Sequence, residues 1–223
     1  MNVITAINLS ALTPSAIWMQ KLRASLSAFA APDSPLITGL LAENWDGPQA
    51  IHPIYSVGLK SIMNPNVLAS LDQPICVRFI TGGLDPTAQA TGCWAAPEGQ
   101  GFPAKVVAAV RGPEFTDILA STAQLNHLSI IADQPGNAFE VRVLRIPALC
   151  LEAFWLKYTG NAASSDWIVP YGLIENGAGL IKLPGKVTLN KNQAYSASEF
   201  LTIAATAAQA RLEADKNAPS NAV

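Results

Sequence analysis

The sequence is poor in charge. Asp, Glu, Lys and Arg make up 13% of its 223 residues, where about 25% is usual for a soluble domain. A surface short of charge is covered by neutral polar and small side chains or by another subunit, because weak surface charge and small net charge favour association. The net charge of −2 provides no basic footprint of the kind nucleic acid requires, so no nucleic-acid partner is expected. Uninterrupted apolar runs are also lacking. None approaches the eighteen or so residues of a spanning helix, and Met1 to Gln20 has no basic stretch of the signal-peptide type, so a cytoplasmic protein with no membrane span is expected. Cysteine is sparse: Cys76, Cys93 and Cys150 are odd in number and widely spaced, which argues against a disulfide framework and against a zinc site. Histidine is scarcer still, with only His52 and His127.

Apolar residues are plentiful. They form 50% of the chain, enough for a substantial core and incompatible with a disordered chain. The local patterns predict an α+β fold, a mainly antiparallel or mixed β-sheet with about four helices. It is expected to be a single domain over 1–216, with a frayed tail over 217–223.

Thr13 as N-cap and Pro14 at the first helical position start a helix, in which Trp18, Leu22, Leu26 and Phe29 share a face before Pro32. A shorter helix runs from about Pro35 to Ala42. Pro113 opens a third, with Phe115, Ile118, Leu119, Thr122 and Leu125 on one side and Asn126 at its end. The fourth has the strongest local signal. Ser196 and Glu199 form the S-x-x-E capping box, flanked by the apolar pair Tyr195 and Phe200. It predicts an Ala-rich helix from Ala197 to about Asp215, packed on the sheet through Phe200, Ile203, Ala204, Ala207 and Ala210.

Strands are predicted over Ile51 to Leu59, Ile75 to Ile80 and Ala104 to Val110, each bounded by Pro, Gly, Asn or Asp. Thr81 to Pro103, rich in Gly and Pro, reads as a loop. Phe139, Val141 and Val143 alternate with Glu140 and Arg142 as a half-exposed strand does. Ala148 to Tyr158 is apolar on both strand faces except for Glu152; its flanking Pro147 and Gly160 also suit a helix, and a buried strand beside Trp167 to Val169 is preferred.

Few residues carry recognisable chemistry. Gly92, Cys93 and Trp94 are similar to the surroundings of the papain-type nucleophile. That family carries Cys-Gly-Ser-Cys-Trp and a histidine far downstream, whereas the first cysteine is missing here and no histidine follows His127, so membership is rejected. What stays open is a cysteine-dependent hydrolase of another kind, acting on a peptide or small amide or ester, with Cys93 as nucleophile and His127 as base. The competing reading is an incidental or buried thiol. Cys76 and Cys150 lie in apolar runs and read as core.

Trp45 and Asp46 suggest an exposed aromatic binding point, although Asp46-Gly47 is also ordinary turn chemistry. Glu152 needs an answer for its charge, either pairing with Arg142 or Arg145 or a catalytic role. No phosphate-binding loop, Gly-x-Ser-x-Gly elbow, HExxH or EF-hand pattern occurs, and no metal or cofactor is expected. The function expected is that of a non-enzymatic interaction or structural protein, a subunit of a homo-oligomer or of an assembly with a protein partner.

Overall fold

The structure, a computed structural model, describes residues 50–81, 91–95, 106–111, 121, 124–125, 128, 139–158, 166–171 and 179–217, with 50, 51, 77, 79–81, 91–95 and 106–111 described by backbone alone. The chain divides into two compact units. One comprises 1–54 and 74–141, the other 55–73 and 142–223.

In the first unit, most of β1 (Ala50–Ser56), with β2 (Cys76–Thr81), β3 (Thr91–Ala95) and β4 (Val106–Arg111), pairs antiparallel in that order. The register sets His52 opposite Arg78, Arg78 opposite Trp94, and Trp94 opposite Ala108. β3 lies within the segment expected to be a loop, which corrects that expectation. Thr-Gly-Cys-Trp-Ala has low intrinsic strand preference because of Gly92. Pairing with β2 on one side and β4 on the other satisfies its backbone regardless of local sequence. Ser121, Gln124 and Leu125 are helical, and Leu125 is buried as its periodicity predicts.

The second unit contains most of β5 (Phe139–Ile146), followed by β6 (Leu151–Tyr158), β7 (Trp167–Pro170), a separate hairpin of β8 (Leu180–Leu183) and β9 (Val187–Asn190), and the short β10 (Tyr195–Ser196). β7 pairs antiparallel with β6 on one side and with β10 on the other. The ambiguous run after Pro147 is therefore a strand. A 3₁₀ turn over Pro147–Leu149 precedes it, and Leu151 to Leu156 are buried on both faces, which explains the absence of alternation.

One face of these strands, with Leu144, Ile146, Leu151, Ala153, Trp155 and Ile168, forms a core with helix α1 (Ala197–Asn217). Ser196 caps that helix as expected: the Glu199 backbone N–H donates to Ser196 Oγ at 3.2 Å. Tyr195 and Phe200 are both buried in the core, in the positions of a hydrophobic staple. The buried stripe differs in part from the expected one. It runs through Phe200, Leu201, Ala204, Ala207 and Ala208, leaving Ile203 and Ala210 half-buried. In a helix this rich in alanine several stripes are nearly equivalent, so the surface it meets selects the face.

The α+β fold class with about four helices is corrected. The described residues are mainly β, with one helix traced from end to end, at the C-terminus. The first two expected helices lie outside the described residues, and most of the third does too. The β content is larger than expected because β3, β8, β9 and β10 are short strands whose pairing comes from their neighbours. Among the described residues no helix is long and apolar enough to cross a membrane.

Candidate functional site

Alternation along β5 and β6 builds the second unit's charged cluster. Residues three apart on a strand point to opposite faces. Arg142 therefore shares a face with the core residues Leu144 and Ile146, whereas Arg145 points to the other face, as Glu152 does on β6. Both arginines are used. The Arg142 guanidinium lies 4.8 Å from the Tyr55 ring centroid and 4.9 Å from that of Trp155, a double cation–π contact at the edge of the core. Tyr55 and Trp155 meet edge to face at 5.4 Å.

Arg145 is the residue that answers Glu152, its Nε lying 2.5 Å from Oε1, while the Tyr171 hydroxyl donates to Oε2 at 2.6 Å. Glu152 is 2% exposed. Each carboxylate oxygen thus accepts from a donor, one of them charged, which is what burial of the anion requires. Tyr171 is held in place by its own backbone N–H, donated to the Glu152 carbonyl at 3.3 Å, and by its ring against Phe154 at 4.3 Å. This arrangement holds a charge in a fixed place. Both oxygens of Glu152 are engaged by donors within the protein.

Asp166 joins the end of β6 to the start of α1. Its carboxylate accepts the Trp155 indole N–H at 2.7 Å and the Tyr158 backbone N–H at 3.0 Å, and its carbonyl accepts from the Ala197 N–H at 2.9 Å.

The first unit contains a second enclosed polar pair. His52 and Arg78, opposite one another on β1 and β2, are both essentially without solvent exposure, and Arg78 Nη2 lies 3.3 Å from His52 Nδ1. A guanidinium can only donate, so Nδ1 is the acceptor and the imidazole in this contact carries its proton on Nε2. Burial, and next the positive charge of Arg78, hold the His52 pKa well below its ordinary value. His52 is thereby a neutral acceptor inside the protein.

Several expected site residues fall elsewhere. Trp45, Asp46 and His127 lie outside the described residues, and Cys93 is placed by backbone alone, in the middle of β3 opposite Phe79 and Ala109. The core assignment of two cysteines is corrected. Cys150 is exposed, at φ 49° just after the 3₁₀ turn, and Cys76 is only half-buried. Its position at the chain reversal between β5 and β6 turns Cys150 outward, whatever the apolar character of its neighbours. Two participants had no place in the sequence reading. Arg78 sits among apolar residues just as Glu152 does and carries the same signal; Tyr171 lies nineteen residues from Glu152 and has no local signal at all. Among the described residues no group of three or more His, Cys, Asp or Glu side chains is placed to hold a metal ion. Comparisons with known proteins return no matching family model, no matching curated protein and no matching solved structure.

Proposed function

We propose that the chain is a non-enzymatic interaction or structural protein that works as a subunit of a homo-oligomer or larger assembly. One observation carries this reading. A chain with only 13% charged residues encloses some of them: Arg78 and Glu152 are buried, and Arg142 and Arg145 are half-buried. Glu152 is met by Arg145, and Arg142 by the Tyr55 and Trp155 rings, so these charges add little to the exterior of the described residues, which is poorer in charge than their composition implies. Such a surface repels its copies weakly and associates readily. The Glu152 cluster agrees with a structural role, because both of its oxygens are held.

Sedimentation equilibrium at micromolar concentration tests the reading. The expected mass is a multiple of 23.5 kDa. A strict monomer across the micromolar range would overturn it.

A further inference from the structure

The two units carry opposite charge. Residues 1–54 and 74–141 contain five Lys and Arg against nine Asp and Glu, a net −4; residues 55–73 and 142–223 contain nine against seven, a net +2; together they give the −2 of the whole chain. The positive excess has a focus. Gly179 to Asn192 contains Lys182, Lys186 and Lys191 and no carboxylate. All three lysines are exposed, and none forms an ion pair among the described residues.

These lysines stand on a firmly seated hairpin. β8 and β9 pair in register, Leu180 opposite Asn190 through Leu183 opposite Val187. Leu183 and Leu189 are buried in the core, with Ile181 and Val187 packed against it, so the alternate positions Leu180, Lys182, Thr188 and Asn190 are exposed. The turn places Gly185 at φ 74° and Lys186 at φ 60°, the left-handed conformations a tight hairpin turn demands. Gly185 has a second constraint: a Cβ there would lie 2.9 Å from that of Ala210 on α1, so the glycine lets the helix approach the turn. At the base, the Lys191 N–H donates to the Gly179 carbonyl at 2.7 Å and the Asn190 N–H to the Tyr195 hydroxyl at 2.9 Å. The backbone under the charges is thus fixed before any partner arrives.

We propose that the exposed face of the β8–β9 hairpin is an electrostatic docking surface whose occupant is the acidic unit of a second copy of this chain. The inference rests on the assembly reading above and names the contact that would make it. Charge complementarity selects the occupant: the same polypeptide provides a +3 element free of carboxylates and a unit of net −4. Exposed Leu180, at the start of β8 and two residues from Lys182, adds apolar contact at the open end of the face. Steering and register come from the lysines.

The test is sedimentation of the full chain and of two triple variants, Lys182→Glu with Lys186→Glu and Lys191→Glu, and the same three positions changed to Gln. Because all three side chains are exposed, unchanged thermal midpoints will show that the variants fold. Each protein is run near 0.01 M and near 1 M salt, where the screening length is about 30 Å and about 3 Å respectively. The expected result is self-association at low salt that fades at high salt, weakens in the Gln variant, and is about tenfold or more weaker in the Glu variant. An oligomer indifferent to salt and to both variants would overturn the hairpin contact while leaving the assembly reading intact. A monomer at both salts would overturn both. Lysine-dependent binding to phosphatidylserine vesicles, with self-association unaffected by the variants, would assign the hairpin to a lipid surface and overturn the second copy as occupant.

Discussion

Each unit encloses a cationic side chain beside a titratable one, and the two pairs behave in opposite ways. At Arg145 and Glu152 the charges are opposite and attract, and Tyr171 adds a hydrogen bond to the carboxylate. At Arg78 and His52 the charges would be alike, so the neutral imidazole is the form that fits. An arginine attracts a neighbour that is an anion and disfavours charge on one that would become a cation. The first pair sets groups of opposite charge in direct contact. The second tolerates no charge on its titratable member.

The largest effect should come from breaking the opposite-charge pair. Arg145→Ala removes the charged partner of the buried Glu152 carboxylate, and should destabilise by about 3 to 5 kcal/mol in urea unfolding. Because the Arg145 side chain is 31% exposed, the lower end of that range is expected. Changing Arg145 to Met together with Glu152 to Leu should be far milder, since no charge is then stranded. A single-variant loss no greater than that of a surface pair, about 0.2 to 1 kcal/mol, would show that water reaches Glu152 and that the contrast between the pairs is false.

The like-charge pair is tested by acid. His52 has its pKa lowered on folding, so below the unfolded value of 6.5 the unfolded chain binds a proton that the folded chain refuses. Stability from this group is therefore complete above that pH and declines as the pH falls below it, by at most about 1.4 kcal/mol per pH unit. His52→Gln keeps an acceptor without a titrating ring, and should flatten the slope of stability against pH between neutrality and the carboxylate range. An identical slope in wild type and variant would remove the basis for the comparison.

An exposed polar contact gives the scale against which both pairs are judged. Ser196→Ala removes the α1 cap and should cost about 1 kcal/mol, within a usual span of about 0.5 to 2 kcal/mol. Thermal unfolding should show the loss. If it equals that of Arg145→Ala, enclosure is not what makes the interior pair expensive to break.

Features that depend on neighbours along the chain are legible in the residues alone. Ser196, Glu199, Tyr195 and Phe200 announce the start of α1 because a cap and a staple are made within five residues. Uniform apolarity after Pro147, interrupted by one carboxylate, indicates a doubly buried strand and a charge in need of a partner. Which partner that was depends on contacts made in the folded chain. Strand alternation sends Arg142 to the aromatic rings and Arg145 to Glu152, a choice governed by which face of β5 each occupies relative to β6. Tyr171 and the His52–Arg78 contact depend on strands that meet after folding, at separations of nineteen and twenty-six residues. β3 is a strand because β2 and β4 supply its hydrogen bonds, and Cys150 faces solvent because the chain reverses there. Local chemistry sets caps, turns and patterns of burial. Pairing across distance sets which charges meet, because a hydrogen bond or an ion pair forms only between atoms that the fold has already brought within reach.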